Sequence, residues 1–165
     1  MTSAMKKQTF ESLRTDPDWN LWVLLDQTRF AICRARELEL AKSKLTIIQA
    51  SVLYTIQFKG GEITQKQISE FTMRQHHSVS TLINRMIKRG LIKKVKHTGE
   101  KGTKIAITEK GKETYNNITK QSIKMIFSTL SAEDKQNMTA YLDVLRNKAR
   151  GLLGMDYIPP FLSTK

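Results

Sequence analysis

The chain has 165 residues, 39% of them hydrophobic, which is enough for one domain with a hydrophobic core and too short for two independent domains. One cysteine excludes a framework of intramolecular disulfides, and the lack of any run of about 18 apolar residues excludes a membrane-spanning helix. The formal net charge of +13 favours a polyanionic partner, so residues 1–165 are expected to form a single cytoplasmic domain that binds no membrane.

The N-terminal part of the chain predicts one long helix and a shorter one. Asp16-Pro17 is a helix-start signal, because aspartate caps free backbone N–H groups and proline is tolerated in the first helical position. Apolar residues then recur at helical spacing up to about Leu40. Thr46 can cap a second helix, which ends at Lys59-Gly60-Gly61. Helix formers dominate most of the chain, so the predicted fold class is mainly α (α+β).

Two further short helices are predicted in the middle of the chain. Thr64 caps the third helix. The fourth begins near Gln75 and stops at Gly90. Its apolar residues share one side of the helix and are expected to be buried; they are Val79, Leu82, Ile83 and Met86.

A β-hairpin follows the fourth helix. Residues 91–96 and 103–107 alternate as strands do, and the short polar connection between them contains two glycines. Ile63, earlier in the chain, predicts one very short additional strand.

The C-terminal third predicts two long helices. Thr108 caps the fifth, whose inner side would run continuously from Tyr115 through Ile118, Ser122 and Ile126 to Leu130. The sequence Ser131-Ala132-Glu133-Asp134 resembles a capping box and starts a sixth helix that extends to about Leu153. The tail beginning at Gly154 is predicted to be irregular.

Two short helices followed by a basic β-hairpin form a winged helix-turn-helix. In this unit the second helix enters the major groove of DNA, and the hairpin reaches the adjacent groove or the backbone. Residues 59–112 hold 13 basic and 4 acidic residues, so +9 of the net charge of +13 lies in this segment. The predicted DNA-binding residues are the donor-rich start of the fourth helix and the lysines of the hairpin: Arg74, Gln75, His76, His77, Ser78, Ser80, Thr81, Arg85, Lys94, Lys96, Lys101 and Lys104.

Three segments in this order resemble the MarR family of winged helix-turn-helix transcriptional regulators. They read ISEF at 68–71, VSTLINRMIKRGLI at 79–92 and ITEKG at 107–111, within a resemblance that covers about residues 19–153. The resemblance implies a homodimer on a pseudo-palindromic operator, most often a repressor, released in many members by a small-molecule effector.

The resemblance also divides the chain into parts. Residues 46–110 would form the DNA-binding lobe, and residues 17–41 and 109–153 the dimerisation helices. A long first helix and two long last helices have more apolar surface than a small winged domain can cover, which independently favours a symmetric partner. The wing departs from the family, whose Asp-x-Arg pair is replaced by Glu100-Lys101.

The aromatic residues Trp22, Phe30 and Tyr54, with Trp19 and Phe127, have two interpretations. They either line an effector pocket or belong to the core, where aromatics at helical spacing usually lie. Two interpretations also apply to Cys33, which is a buried structural thiol or a redox sensor.

His76-His77 raises the question of a metal site. Adjacent helical side chains diverge by about 100 degrees, and no nearby residue has ligand spacing, so DNA contact or plain surface is favoured and no metal is expected. The sequence contains no Gly-rich phosphate loop, no nucleophile elbow and no HExxH motif. We therefore expect no catalytic residues, no cofactor and no enzymatic activity.

Charge alone leaves two other kinds of function open. An RNA-binding winged helix would use the same basic surface on a different nucleic acid. A protein-interaction module would use it to dock an acidic partner. The predicted partners are therefore double-stranded DNA, a second copy of the chain and a small effector, with RNA or an acidic protein as the alternatives.

Overall fold

The computed structural model describes residues 9–99 and 102–155. The described residues form a mainly helical protein with one small antiparallel sheet, which confirms the predicted fold class. In chain order the elements are α1 (Phe10–Arg14), α2 (Pro17–Ala41), α3 (Ile47–Phe58), β1 (Glu62–Thr64), α4 (Gln65–Thr72), α5 (His76–Lys88), β2 (Ile92–Val95), β3 (Lys104–Ile107), α6 (Glu109–Asn116), α7 (Gln121–Phe127) and α8 (Ala132–Leu152).

Most helix starts are set by local capping, and the predicted start signals are confirmed. The Asp16 carboxylate accepts hydrogen bonds from the backbone N–H groups of Asp18 and Trp19 at the start of α2. Four other helices begin with complete capping boxes; their N-cap residues are Thr9, Thr46, Thr64 and Ser131, of which Thr9 was not predicted. The short helix α1 was not predicted.

The sheet has the strand order β1-β3-β2, and both pairings are antiparallel. The predicted hairpin is confirmed as β2 and β3, in which Ile92 faces Ile107. The short strand at Ile63 is also confirmed, paired with Ile105 of β3. The tip of the hairpin, residues 100 and 101, lies outside the described residues, as does the predicted irregular tail from residue 156 onward.

One core joins α3, α4, α5 and the sheet. Its fully buried side chains include Leu53, Ile68 and Met86, each no more than 1% exposed. The predicted inner side of α5, the second helix of the helix-turn-helix and called the recognition helix below, is confirmed: Val79 and Ile83 are also buried, and Leu82 packs against the core partly buried. The core therefore fixes the position of α5 relative to the sheet.

The prediction of one long fifth helix is wrong. α6 ends at Asn116 and α7 begins at Gln121, so the chain leaves the helical path over four residues. Ile118 still packs against the core. The interruption is stabilised by a carboxylate on another helix, that of Glu39 on α2, whose side chain is 9% exposed.

Glu39 accepts five hydrogen bonds around the interruption. Its donors are the hydroxyls of Thr119 and Ser122, the backbone N–H groups of Gln121 (2.7 Å) and Ser122 (3.2 Å), and Arg36 Nη1 (2.6 Å). Arg36 Nη1 also lies 2.6 Å from the Thr119 carbonyl oxygen, to which it donates. Backbone groups released by the break thus find partners on α2, which explains why a helical pattern is interrupted there.

The chain enters α6 in very close contact with the end of the recognition helix. The Thr108 hydroxyl donates to the Gly90 carbonyl oxygen (2.6 Å) and accepts from the Gly111 N–H (3.0 Å). A Cβ atom added at Gly111 would lie 2.0 Å from the Leu91 carbonyl oxygen. Only glycine permits this approach.

No helix in the described ranges combines the length and the apolar composition that crossing a bilayer requires.

Candidate nucleic-acid interface

The turn between α4 and α5 sets the direction of the recognition helix. Met73 adopts left-handed backbone angles (φ 51°, ψ 37°), which are uncommon for a residue other than glycine. The Arg74 N–H donates to the Ser69 carbonyl oxygen (3.1 Å), and the Ser69 hydroxyl donates to the Arg74 carbonyl oxygen. These contacts close the turn and fix the direction in which α5 leaves it.

The start of α5 is polar and open. Gln75 is the N-cap, but its side chain makes no capping hydrogen bond, so the first N–H groups of the helix are left to other acceptors. Gln65 Nε2, from the start of α4, lies 3.0 Å from His76 Nε2 and 3.3 Å from the His76 carbonyl oxygen. The two helices are thereby tied together at the surface that the sequence assigns to DNA.

The predicted residues of α5 and the turn share one surface. Arg74, Gln75, His76, His77, Thr81 and Arg85 are exposed, while Ser78 and Ser80 are half-buried. A face with exposed donors and acceptors on one side and a core stripe on the other is the arrangement that a groove-reading helix needs.

The wing carries lysines on both strands. Lys94 and Lys96 are exposed, and Lys104 is half-buried opposite Val95. Lys101, the predicted contact at the tip, lies outside the described residues. Lys94, Lys96 and Lys104 thus all belong to the hairpin, but the register places the side chains of Lys94 and Lys104 on opposite faces of the sheet, since Lys94 pairs with Ile105 and Lys104 with Val95.

His97 has a structural partner that the sequence did not reveal. Its Nε2 atom lies 2.7 Å from Glu62 Oε2 on β1. The two residues are 35 positions apart, so no local pattern indicates the pair. This contact ties the chain just beyond the end of β2 to β1, the strand at the other edge of the sheet.

The far end of α5 is held equally well. Gly90 has φ +70° and the Leu91 N–H donates to the Met86 carbonyl oxygen, as in a Schellman motif. Arg89 Nη1 donates to Oε1 of the buried Gln49 on α3 (2.9 Å). Because both ends are fixed, α5 presents its polar face rigidly.

A separate cavity of about 180 Å³ lies between α2, α3 and α6. Its lining residues are Arg36, Leu40, Ile47, Ala50, Ser51, Tyr54 and Tyr115. Burial raises the pKa of Tyr115 and the neighbouring Tyr54 raises it further, while Arg36 acts in the opposite direction, so the Tyr115 hydroxyl stays protonated at neutral pH.

Of the three aromatic residues predicted for an effector pocket, the structure places only Tyr54 at this cavity. Trp22 and Phe30 lie on the exposed surface of α2, 56% and 66% exposed. Trp22 instead packs against Trp19, with ring centroids 5.0 Å apart. Sequence reasoning missed Arg36 and Tyr115, whose role at the cavity depends on contacts between distant helices.

The family model described as MarR family matches residues 43–101, from just before α3 to the connection between β2 and β3. This part of the chain resembles the MarR family. No curated protein matches the chain in sequence.

Solved structures are similar to the chain over most of its length. The ligand-free form of the organohalide-sensing transcriptional regulator RdhR-CbdbA1625 has 26% sequence identity and a TM-score of 0.81, with 96% of this chain and 98% of that chain covered. Its form with bound 2,4-dichlorophenol has 27% identity and a TM-score of 0.76, with 92% of each chain covered.

A third similar structure is a complex with DNA. A mutant MarR from E. coli complexed with operator DNA has 15% identity and a TM-score of 0.70, with 76% of this chain and 93% of that chain covered. At this identity the likeness shows the fold.

Proposed function

We propose that this protein is a sequence-specific DNA-binding transcriptional regulator that binds a pseudo-palindromic operator as a homodimer and represses by occluding a promoter. The observation that carries the proposal is the exposed, hydrogen-bonding start of α5 beside a lysine-bearing wing, both fixed on one core. The fold is shared with the E. coli MarR–operator complex and with an S. aureus MepR–DNA complex, which supports the proposal.

The two parts of the interface have different tasks. Gln75 can pair bidentately with adenine, and Arg74 or Arg85 with guanine, so the early part of α5 supplies sequence preference. Lysines of the wing neutralise phosphates and supply affinity without sequence choice. The open N-terminus of α5 adds a phosphate contact through its backbone N–H groups.

A pair of substitutions separates these tasks. Gln75→Ala is expected to cost about 1–3 kcal/mol on the preferred duplex and little on unrelated duplexes, because the contact to a base edge is lost. Lys94→Ala is expected to weaken binding to all duplexes alike and to lower the slope of log K against log salt by about 1. Equilibrium titrations of both duplexes at several salt concentrations measure this. If the two variants depended on duplex sequence and on salt in the same way, α5 and the wing would not have separate roles in sequence preference and affinity.

The homodimer is supported by apolar surface that the described chain leaves uncovered. α2 and α8 together line a groove of about 580 Å³ that includes Leu21, Leu24, Met138 and Leu142. Leu24 is 61% exposed and Tyr141, in the same groove, is 68% exposed. A contiguous apolar face of this kind marks a protein interface, and a second copy supplies the same helices in return.

One charge placed in this groove is expected to separate the protomers. Leu24→Glu should convert a dimer to a monomer at micromolar concentration, because a carboxylate would be buried without a partner. Leu38→Glu is the matched control, since Leu38 is on the same helix, is also 61% exposed and does not line the groove. Sedimentation velocity measures both. A monomeric wild type, or a dimer that withstands Leu24→Glu, would refute the interface.

We further propose that the cavity lined by Arg36, Tyr54 and Tyr115 receives a small aromatic effector. Its volume of about 180 Å³ is below the usual range for drug-sized ligands, so the effector is about the size of one substituted ring. Arg36 also donates to the Thr119 carbonyl and to Glu39 at the break between α6 and α7. An effector that binds Arg36 would therefore alter the junction between the terminal helices and the winged helix.

We propose that Trp22 and Phe30 lie at the dimer interface. They lie on the exposed surface of α2, where a second copy would cover them. A pocket completed across two protomers would include them, whereas the cavity within one protomer includes only Tyr54.

Selection of bound genomic fragments tests the proposed function. A short, two-fold symmetric sequence should be enriched, and a duplex of that sequence should compete far better than RNA of the same length. Equal competition by RNA would favour an RNA-binding winged helix. A monomer that shifts no duplex would favour a protein-interaction module.

A further inference from the structure

A second cavity, of about 390 Å³, lies on the side of the winged helix away from the start of α5. We call it the basic cleft. It is lined by Ser43, Lys44, Lys88, Arg89, Leu91, Lys110 and Thr114. Four of these residues are cations, none is acidic and only one is apolar, so the lining suits a compact anion far better than an apolar ligand.

The four cations come from three separate parts of the fold. Lys88 and Arg89 lie at the C-terminus of α5, where a helix favours positive charge. Lys110 lies instead in the first turn of α6, the end of a helix that disfavours a cation. Lys44 follows α2, and its backbone has φ 53°, which is uncommon for residues other than glycine and asparagine. Local structure thus explains two of the cations and opposes the other two.

The cleft also lacks neutralising carboxylates. Among the described residues, Lys44, Lys88 and Lys110 form no salt bridge, whereas Lys112, on the same helix as Lys110, is paired with Glu109 at 2.7 Å. Arg89 donates a hydrogen bond to Gln49 through Nη1, and its other guanidinium N–H groups can donate to further acceptors. Four like charges around one cleft that has no carboxylate in its lining make it electropositive, which favours an anion.

We propose that the basic cleft is a binding site for a phosphate group with two or more negative charges. A planar guanidinium together with three ammonium groups is the donor set that phosphate oxygens use. The phosphate would come from a small phosphorylated molecule or from a DNA backbone passing the protein. Lys88, at the cleft, is about 18 Å along the axis of α5 from His76 at the start of the helix, because each helical residue adds about 1.5 Å. The basic cleft contacts the end of α2, the end of α5 and the start of α6, so an occupant would join the long N-terminal helix to the recognition helix. This inference does not depend on the proposed operator binding.

Pyrophosphate is the probe for the test, titrated into the full chain by calorimetry at ionic strength fixed with sodium chloride. The test variant is the double substitution Lys44→Gln with Lys110→Gln. The control is Lys42→Gln with Lys112→Gln, which removes the same charge from neighbouring positions outside the cleft. Thermal melts of both variants establish that they fold.

Wild type and control are expected to bind one pyrophosphate per chain with affinities within about twofold of each other. The test variant should bind at least about tenfold more weakly, a change of about 1.4 kcal/mol. Absence of saturable binding in the wild type, or an equal loss in both variants, would overturn the proposal. A 30-base-pair duplex of arbitrary sequence identifies the source. A larger loss of duplex affinity in the test variant than in the control assigns the cleft to DNA backbone, and equal losses assign it to a small phosphorylated molecule.

Discussion

Gly111→Ala is expected to destabilise the protein by about 3 kcal/mol or more, because an added Cβ is more crowded at Gly111 than at any other described glycine. The added Cβ would lie 2.0 Å from the Leu91 carbonyl oxygen and 2.9 Å from a side-chain carbon of Ile107. The first of these atoms is backbone, so relief requires α6 to move away from the end of the recognition helix. Urea denaturation followed by circular dichroism measures the loss.

Gly151→Ala is the matched control. Gly151 also lies in a helix, α8, but a Cβ at this position would meet no atom within 4 Å. Alanine there should raise stability by up to about 1 kcal/mol, because glycine is the poorer helix former. A Gly111→Ala variant as stable as wild type would contradict the close approach of α6 to the recognition helix.

The second large effect is expected at Glu39. Burial alone would raise the pKa of this carboxyl, but hydrogen bonds from Ser122, Thr119 and Arg36, and from the Gln121 backbone, hold it well below its ordinary value. Glu39→Gln places an amide N–H₂ among donors and should cost roughly 2–4 kcal/mol at pH 7. Glu37→Gln is the control on the same helix, since Glu37 is half exposed and its contact with Arg34 is a surface pair. Its cost should be about 0.5 kcal/mol or less.

The Glu39 effect should depend on pH in a defined direction. Because the folded pKa is lower than the unfolded one, the ionised carboxylate contributes its full stability above about pH 4.3, the ordinary value for glutamate. That contribution is lost as the pH falls toward the folded pKa. The difference in unfolding free energy between wild type and Glu39→Gln should therefore be constant from pH 7 to about 5 and shrink below about 4. A difference that stays constant down to pH 3 would show that the charge of Glu39 does not stabilise the break between α6 and α7.

The elements that the sequence predicts well are those with local causes. Asp16, Thr46, Thr64 and Ser131 each cap a helix through contacts within three residues, so their patterns are readable along the chain. The hairpin follows from alternation and two glycines in the same way. These signals depend on near neighbours, which a sequence displays directly.

The break between α6 and α7 has a remote cause and was missed for that reason. Its hydrogen bonds run from residues 119–122 to Glu39, which is about 80 positions earlier in the chain. The periodic side chains continue through the break, so periodicity alone predicts one helix. Gly111 belongs to the same class, because its requirement for glycine comes from Leu91 on another element.

The candidate site also has parts with local causes, which the sequence predicts, and parts that depend on contacts between distant residues. The exposed face of α5 follows from its buried stripe, so its outward residues could be predicted from helical spacing. The effector cavity could not, because α2 carries apolar residues around much of its circumference and only packing decides which of them meet α3 and α6. Tyr54 lies at the cavity, while Trp22 and Phe30 face outward on α2. The basic cleft likewise gathers cations whose positions in the sequence are unrelated.

Sequence-specific recognition of duplex DNA by α5 is tested most directly by the ratio of two dissociation constants. One is for a duplex of the sequence enriched from genomic fragments, and the other is for a duplex of the same length and base composition with that sequence scrambled, both at the same moderate salt concentration. The ratio should favour the enriched duplex by about 10³ or more, as in other sequence-specific regulators. A ratio near one would show that the protein binds DNA through charge alone and would contradict the assignment of α5 as a reader of sequence.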